Sequence, residues 1–167
     1  MKYADIRDQI RDGDLIAVRS KHSGLPALTR FFTRSPYTHT AVAIWLGGGL
    51  WAAEMNAGGN VLVPVSRWEN TDFDVFTCPV DRTDVCVAIL ETLRGKIDYD
   101  LVDLLRIAAH NVLRCKLPTD TGGLVCSAYS AKIYTLCGWR PLFLSSIPAP
   151  SDLVAAMPDY PLFEVRA

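Results

Sequence analysis

Apolar and polar residues alternate along much of the first half of the chain and recur at helical spacing along the second. Residues 3–11 fit a short helix that ends at the Asp12-Gly13-Asp14 turn signal, and Leu15 to Val18 follows as a short apolar strand. Residues 25–33 (LPALTRFFT) fit a helix or an apolar flap. Thr38 to Leu46 and Leu50 to Asn56 flank Gly47-Gly48-Gly49, which is the pattern of a hairpin. Val61 to Val65 continues the sheet as an edge or bulged strand, because Pro64 has no N–H to give to a ladder. Asp72 to Val80 supplies another strand, and a meander of this kind makes an antiparallel sheet.

The second half reads as helices. Thr83 to Arg94 carries Val85, Ala88, Ile89, Thr92 and Leu93 at a helical period. Asp100 is a favoured N-cap for a helix over Leu101 to Leu113, striped by Leu101, Leu104, Leu105, Ala108 and Val112. A third helix begins near Cys126, after Gly122-Gly123, and stops at Gly138, a natural position for a terminating glycine. The tail fits a short helix over Ser151 to Ala156 and a last strand over Leu162 to Val165. Strands first and helices afterwards form the α+β pattern.

Composition narrows the function classes. With 167 residues, 50% of them hydrophobic and 21% charged, the chain suits one domain over 1–167 with a sizeable core and is not disordered. The 17 basic residues are balanced by 18 acidic ones, which argues against a duplex-binding module, since that needs a basic face. No apolar run approaches the ~18 residues of a membrane-spanning helix, and the charged opening MKYADIRDQIRD lacks the apolar stretch of a signal peptide. The expectation is a cytoplasmic protein. Its five cysteines (78, 86, 115, 126 and 137) have neither zinc-ligand spacing nor an even count, which favours free thiols and no metal.

One thiol has a distinctive setting. Cys126 falls at or near the first turn of its helix, where unpaired N–H groups and the positive dipole end favour a thiolate and can donate to an oxyanion. The plainer alternative is that Cys126 shares one buried helical stripe with Ser130, Ile133 and Cys137. Of three histidines, His22 sits in a polar loop and His110 on a polar helix face with Asp103 and Arg106. His39 starts a strand and shares its face with Ala41 and Ala43, which leave room for a helix to approach; it is a base or a satisfied structural histidine. Glu54, in the apolar run Trp51-Ala-Ala-Glu-Met55, falls on the same face when the hairpin loop has two or four residues. It orients His39 or points into solvent from an edge. Tyr99 could present its hydroxyl to a cleft or be half-buried, Asp100 is first a cap, and Phe31, Phe32, Tyr37, Trp45 and Trp51 line a pocket or fill the core.

Together, Asp12-Gly-Asp-Leu-Ile16, Ser35-Pro-Tyr-Thr-His39-Thr-Ala-Val-Ala-Ile44, Ala53-Glu54, Tyr99-Asp100 and Val125-Cys126-Ser127 resemble the circularly permuted branch of the NlpC/P60 superfamily. This is the YiiX/YebB-like, papain-like group related to the lecithin retinol acyltransferase fold, in which the histidine precedes the cysteine. The resemblance spans about Gly13 to Gly138, with Ser20 to Ser35 as a flap-like insertion. It implies a papain-like α+β fold in which an antiparallel sheet packs against helices. It also implies a triad of Cys126, His39 and Glu54, with oxyanion or cleft support from Ser127 and Tyr99. The implied activity is a cofactor-free cysteine hydrolase of amidase or peptidase type that cleaves an amide or ester in a small-molecule, peptide or lipid substrate, such as a cell-wall peptide or a lipid-linked compound. A thiol acyltransferase acting on lipid esters and a catalytically silent binding module with the same cleft are the rival readings.

Overall fold

The computed structural model describes residues 1–20, 35–95, 97, 125–141, 144 and 148–167. The expected helix over Leu101 to Leu113, the segment 25–33, His22, His110, Cys115, Phe31, Phe32, Tyr99 and Asp100 lie outside the described residues. The elements are α1 (Tyr3–Ile6, continued by a 3-10 turn over Arg7–Gln9), β1 (Leu15–Val18), β2 (His39–Leu46), β3 (Gly49–Asn56), β4 (Gly59–Pro64), β5 (Phe73–Phe76), α2 (Arg82–Arg94), α3 (Cys126–Leu136), α4 (Pro150–Ala156) and β6 (Phe163–Val165). The fold is α+β.

All strand pairings are antiparallel, in the order β4-β3-β2-β1-β5-β6. The β2–β3 hairpin turns on Gly47 (φ 58°) and Gly48 (φ 77°), a left-handed pair that only glycine adopts at little cost and that matches strand twist. That two-residue turn fixes the register Trp45↔Leu50 and Ala41↔Glu54. Pro64 does close an edge strand, β4, and a 3-10 turn over Val65–Trp68 follows. The strand expected over Asp72 to Val80 is shorter, so Cys78 lies beyond it. Its N–H turns to the buried Asp14 carboxylate (3.1 Å), and Pro79 has no N–H to carry a ladder on.

Each sheet face has its own core. Leu15, Ala17, Val42, Ile44, Ala53 and Met55 pack under α2 and α3, against Val85, Ile89, Tyr129, Ile133 and Tyr134. Ile16, Val18, Ala41, Ala43, Ala52, Phe73 and Val75 pack against Tyr3, Ile6 and Ile10 from the N-terminal segment and against Val65 and Trp68. The small Ala41 and Ala43 admit the N-terminal segment, whereas the cysteine helix lies on the opposite face. There Tyr129, Ala131 and Ile133 share one core with Ala17, Val42, Ile44 and Ala53.

Helix α3 has a defined C-terminal stop. Behind its last turn, Gly138 (φ 88°) donates to the Thr135 carbonyl and Trp139 to that of Tyr134, both at 3.1 Å, and the Tyr134 and Trp139 rings meet edge-on at 5.6 Å. This is a Schellman stop with its apolar contact. Helix α2 is N-capped by Asp81, which accepts from Thr83 N–H (2.8 Å) and Asp84 N–H (3.3 Å). Among the described residues, no helix is long and apolar enough to cross a membrane.

Candidate active site

Polar contacts set how α3 lies on the sheet. Ser130 Oγ bonds to Thr40 Oγ1 (3.2 Å) and donates to the Cys126 carbonyl (3.2 Å), while Tyr134 donates to the Gly13 carbonyl (2.8 Å). The Gly13 N–H in turn donates to the Ala43 carbonyl, so α3 runs alongside β2 in the same direction. Its first residue, Cys126, therefore sits at the end of the sheet where β2 begins with His39. Val125 is the N-cap and gives no side-chain hydrogen bond, so no side chain caps the first-turn N–H groups at the thiol.

The imidazole reaches the thiol at this end of the sheet. His39 Nε2 lies 2.7 Å from Glu54 Oε2, which leaves the ring's other nitrogen, Nδ1, for the adjoining Cys126 sulfur. The backbone N–H groups of Thr40 and Ser127 lie on the sulfur's side and favour its thiolate form. Glu54 is 2% exposed, and its other oxygen, Oε1, accepts from Arg67 Nη1 (2.8 Å) and Asn56 Nδ2 (3.1 Å). The Trp68 ring stands 6.0 Å from the imidazole. The three residues of the expected triad are thus brought together.

Charge follows geometry. Burial pulls the His39 pKa down, but the adjoining Cys126 sulfur and the Glu54 carboxylate outweigh it and raise it to about 10. Burial pushes the Cys126 thiol up, yet His39 overcomes that and, with the two backbone donors, lowers it below the usual thiol range. Glu54 is held below the usual carboxylate range, because His39 and Arg67 overcome its desolvation. Both directions favour a thiolate–imidazolium pair over the neutral one. Cys78, Cys86 and Cys137 have their thiols raised by burial and stay protonated.

Ser127 takes a divided position. Its hydroxyl is fully buried and donates to the Pro148 carbonyl (2.5 Å), so only its backbone N–H addresses the sulfur. Sequence reasoning missed Thr40, Ser130, Asn56, Arg67 and Trp68. Asn56 carried a usable signal, being two residues from Glu54 on one strand face. Arg67 carried none, since a turn after Pro64 brings it back over the sheet. Among the described residues, no group of three or more His, Cys, Asp or Glu side chains could hold a metal ion. Comparison with protein-family models and with curated proteins gives no match. What the arrangement can do follows from its parts: a charged nucleophile, a proton donor beside it, and N–H groups at a helix start can attack a carbonyl carbon.

Proposed function

We propose that this protein is a cysteine hydrolase of the permuted NlpC/P60, papain-like type, cleaving an amide or ester bond in a peptide or lipid-linked substrate. The observation that carries this reading is that Cys126, at the start of α3, adjoins His39, whose ring is held at 2.7 Å by the buried Glu54 of β3. The thiolate attacks the substrate carbonyl carbon. A C–S bond forms and the carbonyl π pair moves to oxygen, which the first-turn N–H groups of α3 stabilise. As the tetrahedral species collapses, the C–N or C–O bond breaks, and the imidazolium passes its proton to the leaving amine or alkoxide. Water then attacks the thioester. The neutral imidazole takes its proton, the carboxylic product leaves, and the ion pair is restored. Glu54 keeps the ring turned with Nδ1 toward sulfur throughout.

Alkylation with iodoacetamide at neutral pH, read by peptide mass spectrometry, tests this. Cys126 is expected to label well ahead of Cys78, Cys86 and Cys137, and His39→Ala to abolish that preference. Slow labelling at equal rates on all thiols would overturn the proposal.

A further inference from the structure

The residue behind Glu54 has a role of its own. A carboxylate this deeply buried is costly to keep charged, and its geometry depends on what occupies each oxygen. Oε2 faces His39, whereas Oε1 is taken by Arg67 Nη1 at 2.8 Å and Asn56 Nδ2 at 3.1 Å. With Oε1 occupied on the side away from the ring, rotation of the carboxylate away from His39 would break two hydrogen bonds.

The turn that delivers Arg67 is itself fixed. Pro64 ends β4, and the following 3-10 turn is pinned at both ends by Val65 and Trp68, buried in the core under the sheet. Between these anchors Arg67 lies across the Trp68 ring, 5.5 Å from its centroid, and reaches Glu54 with its side chain still 46% exposed. Trp68 also stands against the imidazole. One short turn thus backs the ring with an indole and the carboxylate with a guanidinium. The charged groups facing Glu54 are His39 from β2 and Arg67 from this turn, and Asn56 from β3 is neutral.

We infer that Arg67 is a positioning residue of the thiol centre: by clamping Oε1 it holds Glu54 where the carboxylate fixes the imidazolium against the Cys126 thiolate. This rests on the thiol-hydrolase reading above. A clamp differs from a distant positive charge in a measurable way. A distant charge favours the thiolate and disfavours the imidazolium by similar amounts, leaving the pair nearly unchanged. Loss of the clamp frees the carboxylate, weakens the pair and raises the thiol pKa.

The test is the rate of Cys126 alkylation by iodoacetamide as a function of pH, in the wild type, Arg67→Met, Arg67→Lys and, as a surface control, Arg94→Ala. Arg67→Met keeps an aliphatic stem over Trp68, and Arg67→Gln serves in its place should Met not fold. The acid limb is expected to move up by about one pH unit in Arg67→Met, consistent with loss of one charge-assisted hydrogen bond, with most of the shift recovered in Arg67→Lys. Arg94→Ala should superimpose on the wild type. An acid limb unmoved in Arg67→Met, whatever happens to its melting temperature, would reduce Arg67 to a structural ion pair and overturn the inference. Failure of the underlying reading looks different: wild-type Cys126 would react no faster than the other thiols, and the inference would fall with it.

Discussion

A cysteine that is 7% exposed is ordinarily inert, because burial disfavours the thiolate, as it does at Cys78, Cys86 and Cys137. Cys126 departs from its neighbours through one partner, the imidazole, and two backbone donors. Replacing Cys126 by Ser should therefore cost hydrolysis on the order of 10⁴-fold or more, measured on an activated ester. Glu54→Gln keeps the shape but not the charge, and offers a donor where an acceptor is needed. A loss on the order of 10²–10⁴-fold in kcat/KM is expected, together with a stability cost of about 1–3 kcal/mol from the weakened contacts to His39 and Arg67. The pH profile separates the two partners. Hydrolysis should fall as pH rises through about 10, where His39 loses the proton needed by the leaving group, while alkylation persists because the thiolate remains. Retained hydrolysis well above that pH would contradict the assigned donor. These residues were legible in sequence because each breaks its local rule: a cysteine opening a helix, a histidine opening a strand, a carboxylate in an apolar run. Arg67 was not, since a lone arginine after a proline reads as surface.

At the scale of elements, the site depends on how α3 seats on β2. Ser130 ties Thr40 to the Cys126 carbonyl inside the core, so Ser130→Ala leaves a buried hydroxyl without its partner. A cost of about 1–3 kcal/mol in urea unfolding is expected, together with a slower Cys126 reaction. The double variant Thr40→Val, Ser130→Ala should be less destabilised than the sum of the single ones, because the orphaned group goes with its partner. Additive losses would show that the two hydroxyls do not act as a pair. The hairpin and the helix stop were legible from Gly47-Gly48 and Gly138, whose conformations follow from the backbone alone. Which face α3 covers was not legible. Alternation tells that a strand has two faces; it does not say which partner each face receives when both are apolar.

Across the whole molecule, distant parts of the chain converge on a second buried carboxylate. Asp74 on β5 accepts from Arg19 Nε (2.9 Å), Tyr37 (2.6 Å) and Arg166 Nη1 (2.7 Å), joining the end of β1, the lead into β2 and the C-terminal residues. Asp74→Asn should cost about 2–3 kcal/mol and expose the C-terminal strand to proteolysis; this is below the figure for a fully buried pair because both guanidinium groups still reach water. The Cys126–His39 pair also links stability to pH. His39 gains affinity for its proton on folding, so its contribution is present below its unfolded pKa of 6.5 and is lost as pH rises through about 10. Cys126 loses affinity, so its contribution is present above its unfolded pKa of 9.0 and is lost as pH falls through its lowered folded value. The stability difference between wild type and Cys126→Ser should therefore shrink as pH rises from 9.0 through about 10, where only the His39 contribution is still changing.

That charge separation is assembled only when β2, β3 and α3 come together, and it is the claim on which the site stands. Titration of the His39 ring by NMR addresses it most directly. The imidazole should be protonated at pH 7 and lose its proton near 10, and Cys126→Ala, which removes the sulfur, should pull that value down. A His39 ring that titrates near its ordinary 6.5 in both proteins would contradict the account.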